Sequence, residues 1–302
     1  MDSLADKTTR MQYHIQNEHL SAGISSLGAE IRSLKDRQSG EEFIWQINPE
    51  VWGSSAPVLF PAIGSLKDGY VLHKGEKYAL PKHGIIRNNQ DLKFQQISDS
   101  ECSFSLESSP ATAKLYPFEF RFRVSYKLEG RRLIMEYHIE NLGDELMPFI
   151  CGGHTAYALP LKDGFRLNDY QVQFPTPAES IEALTLAESG LLGSRKRNFP
   201  LEKGALVLNQ DIFKEDALIF ANVNCEEVIL KKPGQQSDLR IVFKGYPHLA
   251  LWAKPGADYV CIEPWLGLPD REEEPTDLSE KSTYRFLEAG NSFSIAISTE
   301  VI

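Results

Sequence analysis

Residues 118–130 read FEFRFRVSYKLEG and residues 132–143 read RLIMEYHIENLG. In the first, Phe118, Phe120, Phe122 and Val124 share one parity, while Glu119, Arg121 and Arg123 share the other. Successive side chains of an extended strand point to opposite faces, so this alternation describes a strand with one apolar and one wet face. The second stretch resumes the alternation directly after Glu129, Gly130 and Arg131. Two alternating runs joined by so short a turn predict an antiparallel hairpin.

The same pattern recurs outward from this pair, in ECSFSLES, GALVLNQ, EEVILKK, LRIVFKG and NSFSIAIS, with turn residues between the runs in LEGR, KKPGQQSD and EAGNS. Long amphipathic helical patterns are scarce, and no GxGxxG or GxxxxGK[ST] stretch is present, which argues against alternating β-α units and a nucleotide-binding sheet. The expected architecture is all-β, a large antiparallel β-sandwich formed as a single domain over residues 1–302, since no Pro-, Gly- or Ser-rich linker divides the chain. Residues 178–192, AESIEALTLAESGLL, are expected to hold a short helix or a long excursion between strands.

Composition narrows the function. The chain has 302 residues, 42% hydrophobic and 25% charged, which is the balance of a globular protein with a substantial core. Its formal net charge of -10 disfavours attraction to a phosphate backbone, so nucleic acid is not the expected partner. No basic segment followed by an apolar core opens the sequence and no run is long enough to span a bilayer, so a cytoplasmic protein without a membrane partner is expected. Cys102, Cys151, Cys225 and Cys261 form no CxxC pair and lack the density of a disulfide framework, which predicts reduced, packed thiols.

Polar residues interrupt the β pattern at four places that resemble sites more than turns. LFPAIGSLKDGYVLHKGEKYALPKHGIIRNNQ, residues 59–90, carries Lys67, Asp68, His83 and Arg87. CGGHTAYALP, residues 151–160, carries His154; KEDALIF carries Asp216; LWAKPGADYVCIEPWLGLPD carries Trp252, Asp258, Glu263 and Trp265. Singly, each has a structural explanation: a hydrogen-bonded core histidine, a loop acid, an ion-pair arginine, a packed tryptophan, a turn aspartate, a surface Lys67–Asp68 pair. Glu263 stands out because VCIEPW sets a carboxylate inside a run that reads as buried strand, and a buried carboxylate requires a partner. DREEEPTDLSE reads as a solvated acidic loop and SRKRNF, residues 194–199, as a short basic loop.

Taken together, in order and spacing, these stretches resemble the aldose 1-epimerase (galactose mutarotase) family, in particular its LacX-like branch, and the resemblance runs from AGISSLGAEIRSLKD to LWAKPGADYVCIEPWLGLPD. It implies a galactose mutarotase-like antiparallel supersandwich, in agreement with the strand reading. It further implies that His154 is the general acid and Glu263 the general base, that His83 and Asp216 hold the substrate, and that Arg87 matches an arginine of the LacX-like and hexose-phosphate branches. Ser65, in IGSLKDG, stands where related sequences usually carry arginine, with Lys67 the expected partial replacement, and Trp252 or Trp265 the expected apolar face for the sugar ring.

The reaction so implied is exchange of the α and β anomers of an aldohexose, phosphorylated or not, with no metal and no organic cofactor. A base and an acid act at two ends of one hemiacetal, a task that suits a carboxylate and an imidazole near neutral pH. Three other readings compete. A noncatalytic sugar-binding module keeps the same pocket, a glycoside hydrolase uses Glu263 with Asp216 as its two carboxylates, and a metal oxygenase uses His83, His154 and Glu263 as ligands. For a phosphorylated sugar, Lys67, Arg87, Lys231 and Lys232 are the candidate cations.

Overall fold

The computed structural model describes residues 11–160, 167–209, 211–232 and 238–302. The hairpin forms as the alternation requires: Phe120–Glu129 pairs antiparallel with Arg132–Asn141, with Arg132 opposite Glu129 and Gly130 turning at φ 55°. Phe120, Phe122, Val124, Tyr126 and Leu128 face inward and are buried, whereas Arg121, Arg123, Ser125 and Lys127 keep contact with solvent. This hairpin lies within a sheet that has nine strands among the described residues. Glu101–Glu107 and Lys93–Ser98 continue it on one side; Ser292–Val301, Leu239–Val242, Glu227–Lys231, Gln171–Gln173 and Ala205–Val207 continue it on the other. The KKPGQQSD turn lies in part outside the described residues, but the strands on either side of it pair with Leu230 opposite Leu239.

A second large sheet faces the first. Its path runs from Leu192–Pro200 through Ser180–Leu186, Leu218–Phe220, His248–Trp252 and Tyr259–Trp265 to Gly152–Gly153 and Val58–Leu59, and Thr155–Ala158 also pairs with Tyr259–Trp265. The core fills the space between the sheets: Phe60 packs on Phe120 and Phe122, and the hydroxyls of Tyr157 and Thr299 meet at 2.6 Å. Burying one face of each sheet against the other is what makes two amphipathic sheets stable together. The observed fold class is therefore the all-β antiparallel architecture expected from the sequence.

Three local expectations are corrected. AESIEALTLAESGLL is a strand over Ser180–Leu186, with a shift of register between Leu184 and Leu186; its Ala, Leu and Glu content favours helix, but pairing on both sides overrides that propensity. SRKRNF is no loop but part of the strand Leu192–Pro200, at the end of the sheet path, where exposed Arg195 and Lys196 discourage pairing with another chain. DREEEPTDLSE is only partly solvated: Asp270 and Glu274 are buried, Asp270 against the Lys281 ammonium at 2.5 Å and Glu274 accepting hydrogen bonds from the Ser282 amide and hydroxyl. The four cysteines are free, and all but the half-buried Cys225 are fully packed, as expected. Among the described residues no helix is long and apolar enough to cross a membrane.

Candidate active site

Every residue of Tyr259–Trp265 is buried, which explains why VCIEPW reads as a continuous apolar run. Its two faces nevertheless differ. Tyr157 lies opposite Val260 and contacts Thr299 of the other sheet, so Val260, Ile262 and Pro264 share the core side. Tyr259, Cys261, Glu263 and Trp265 take the opposite face, where Glu263 is registered against Ala250 and Cys261 against Trp252. A small residue beside Glu263 leaves room over its carboxylate.

The paired glycines before His154 have a steric reason. A Cβ on Gly152 would sit 2.7 Å from the Pro264 carbonyl oxygen and 2.8 Å from Trp265 Cδ1, and one on Gly153 would sit 2.7 Å from Ile297 Cδ1 of the facing sheet. Only glycine lets the backbone approach both sides so closely, and the alternation then delivers His154 to the same face as Glu263. His154 Nε2 stands 3.4 Å from Glu263 Oε2, both residues being buried. Among the described residues His154 Nδ1, Glu263 Oε2 and Trp265 Nε1 make no well-aligned hydrogen bond, a combination that native interiors tolerate mainly where something else is to be bound.

Loops cover this face. Trp52 stacks on the His154 ring at 5.2 Å, and Trp252 meets the same ring edge-on at 5.8 Å. The loop carrying Trp52 is held by buried Glu30, which pairs with Arg32 at 2.7 Å and accepts hydrogen bonds from the Ser54 hydroxyl and the Ser55 and Ala56 amides. His83 reaches the site from another loop, its ring 5.7 Å from that of His154. Its Nδ1 accepts a hydrogen bond from the Gly64 amide, so in the neutral ring Nε2 carries the proton and is the donor.

His83 and Asp216 both adopt left-handed backbone, at φ 68°. Such geometry costs a non-glycine residue of order 1–3 kcal/mol. Asp216 also accepts a hydrogen bond from the Ala217 amide, which directs its carboxylate.

These groups line a cavity of about 520 Å³. His83, Arg87, His154, Asp216, Trp252, Glu263 and Trp265 all contribute to it, so stretches scattered over residues 59–270 do converge. Lys67 does not: it lines a separate depression with Asp68, and its ammonium donates to the Glu274 carbonyl at 3.3 Å. Asp258 is also more than a turn residue, since it accepts a hydrogen bond from the Trp45 indole at 2.8 Å. Sequence reasoning missed Trp52, Lys82, Lys214 and Lys254, which also line the cavity. Lys82 alone carried a readable signal, being adjacent to His83.

Burial sets the protonation of the pair. It holds His154 down to about 3, with the Arg87 charge adding to the effect, and it raises Glu263 well above the ordinary carboxylate range, with the Asp216 charge reinforcing and Lys82 and the Trp265 indole opposing. His83 is likewise held well below its usual value, chiefly by burial. The pH interval over which the His154–Glu263 pair holds one proton is therefore wider than for the free side chains.

The family model for aldose 1-epimerase matches residues 11–271. The chain belongs to the aldose 1-epimerase family. It is 29% identical to the plasmid-encoded protein LacX of Lactococcus lactis subsp. lactis over 279 residues, covering 90% of this chain and 93% of that protein. A galactose mutarotase related enzyme from Lactobacillus acidophilus has the same fold, with a TM-score of 0.90, 33% identity and 97% of each chain covered. A galactose mutarotase-like protein from Lactobacillus casei is similar at a TM-score of 0.89, 27% identity, 97% of this chain and 100% of that one. The supersandwich expected from the sequence is thus the fold observed.

Proposed function

We propose that this aldose 1-epimerase family member interconverts the α and β anomers of an aldohexose. The observation that carries the reading is the contact of His154 Nε2 with Glu263 Oε2 at 3.4 Å inside a cavity of sugar size. The anomeric hydroxyl and the ring oxygen are bonded to the same carbon, so an acid and a base serving both must stand side by side. In this assignment Glu263 takes the proton of the anomeric hydroxyl while His154 gives one to the ring oxygen, and the ring bond to the anomeric carbon breaks to leave the open aldehyde. Rotation about the bond to that carbon and reclosure with the proton roles reversed yield the other anomer.

These roles call for the ionised form of the pair, whereas burial by itself favours the proton on Glu263. Burial disfavours both charges, yet an imidazolium beside a carboxylate is a net-neutral pair, and Lys82 favours the carboxylate. The ionised arrangement therefore competes with the arrangement in which the carboxyl keeps the proton, and a single transferable proton is present in either. His83, with its Nε2 proton, and Asp216 are the assigned partners for sugar hydroxyls, Arg87 for hydroxyls or the developing oxygen charge, and Trp252 and Trp52 for the ring's C–H faces. None of these steps calls for a metal or an organic cofactor.

Anomer exchange followed by magnetisation-transfer NMR tests the assignment. Catalysed exchange is expected with the unmodified protein, falling roughly 10²- to 10⁴-fold in Glu263→Gln and His154→Asn. Near-normal turnover in Glu263→Gln removes it as base, and saturable sugar binding without exchange replaces the enzyme reading by a binding module.

A further inference from the structure

The walls of the cavity carry more positive than negative charge. Lys82, Arg87, Lys214 and Lys254 line it against two acids, Asp216 and Glu263, and burial pushes the second of these towards its uncharged form. This imbalance occurs in a chain whose formal net charge is -10. A neutral aldose offers hydroxyls that any polar side chain satisfies, and it gives no reason to gather four cations around one cavity.

Three of these cations form no ion pair among the described residues. Lys214 pairs with Asp211 at 2.5 Å, but among the described residues Lys82, Arg87 and Lys254 have no carboxylate partner. Lys254 donates only to the Val51 carbonyl at 2.7 Å, and Arg87 Nε is buried with no hydrogen-bond partner at all. The cations foreseen for a phosphate are, apart from Arg87, used elsewhere: Lys67 at the Glu274 carbonyl, Lys231 on Asp238 and fully buried Lys232 on Glu41, both at 2.8 Å.

We infer that the cavity selects an aldose bearing an anionic substituent, a phosphate or a carboxylate, whose charge meets Lys82, Arg87 and Lys254. This inference rests on the mutarotase reading and adds the class of substrate. Arg87 supplies a fork of N–H donors suited to phosphate or carboxylate oxygens, and the two lysines supply mobile point charges. The cavity's unpaired cations come from the 82–87 loop and from Lys254.

The test compares anomer exchange of glucose and galactose with that of their 6-phosphates and of the corresponding uronates, at low and high salt. At least one anionic series is expected to exceed its neutral parent by tenfold or more in kcat/KM, mainly through KM, with the advantage shrinking as salt rises. Preference for 6-phosphates alone identifies phosphate as the group, and preference for uronates alone identifies carboxylate. Lys82→Gln and Lys254→Gln, both exposed positions that tolerate exchange, are expected to narrow the anionic-to-neutral ratio severalfold. Neutral sugars turned over as well as or better than both anionic series overturn the inference and leave the mutarotase reading intact. No exchange with any of these sugars, from folded protein, overturns the reading beneath it as well.

Discussion

His154 and Glu263 show how little a side chain's ordinary chemistry says once it is buried. A free imidazole titrates near 6.5, yet His154 is held to about 3 by burial and by the Arg87 charge, while Glu263 moves the other way. On the proposed assignment the pair works with one proton, so activity is expected to be lost below the lower value, where a second proton arrives, and above the raised carboxyl value, where the last one leaves. The acidic limb of the kcat/KM profile is therefore expected near 3 rather than near 6.5. An acidic limb centred at about 6.5 would show an exposed, ordinary histidine in control. Two neighbours move the basic limb in opposite directions: Asp216→Asn removes a charge that raises Glu263 and shifts the limb to lower pH, whereas Lys82→Met removes one that lowers it and shifts the limb to higher pH. Equal shifts in both variants would contradict this electrostatic account.

At the scale of elements, the site depends on how closely one strand passes another. Gly152 lies against Trp265 and the Pro264 carbonyl, and the chain two residues on carries His154. Gly152→Ala introduces a methyl group 2.7 Å from that carbonyl and is expected to cost about 1–3 kcal/mol in chemical denaturation. Because the strand must move to relieve the overlap, kcat is expected to fall more than stability suggests, by roughly 10²-fold. Unchanged kcat with reduced stability would separate the glycine's packing role from the placement of His154. The hairpin, the strand runs and the buried character of VCIEPW were legible because a period of two is written directly in the sequence. The strand Ser180–Leu186 was not, because its residues favour helix and only pairing with Leu192–Pro200 and Leu218–Phe220 decides otherwise.

For the whole molecule, burying imidazoles makes stability depend on pH. His248 is buried, its Nδ1 accepts a hydrogen bond from the Asn222 amide, and burial holds it down to about 4. The folded chain refuses a proton that the unfolded chain takes at about 6.5, so the contribution is complete above that pH, declines as the pH falls from about 6.5 to about 4, and is level below. The loss assigned to His248 is on the order of 3 kcal/mol. Denaturant titrations across this window are expected to show stability falling with acidification, and His248→Gln, which keeps an acceptor for Asn222 without a titrating ring, is expected to flatten the slope. An unchanged slope would place the acid sensitivity elsewhere.

The sequence by itself determined the all-β class, the family and five of the residues that meet in the cavity as named sites, His83, Arg87, His154, Asp216 and Glu263, together with Trp252. These are properties of local pattern and of chemically distinctive residues in order along the chain. Only the tertiary structure decided that Lys67 faces the Glu274 carbonyl while Lys82 faces the cavity, that Trp52 covers His154, and that Asp270 and Glu274 are buried rather than solvated. Lysines, tryptophans and acidic residues occur throughout such a chain, and what each one meets is set by loops brought together from distant positions, a relation that no periodicity along the chain records.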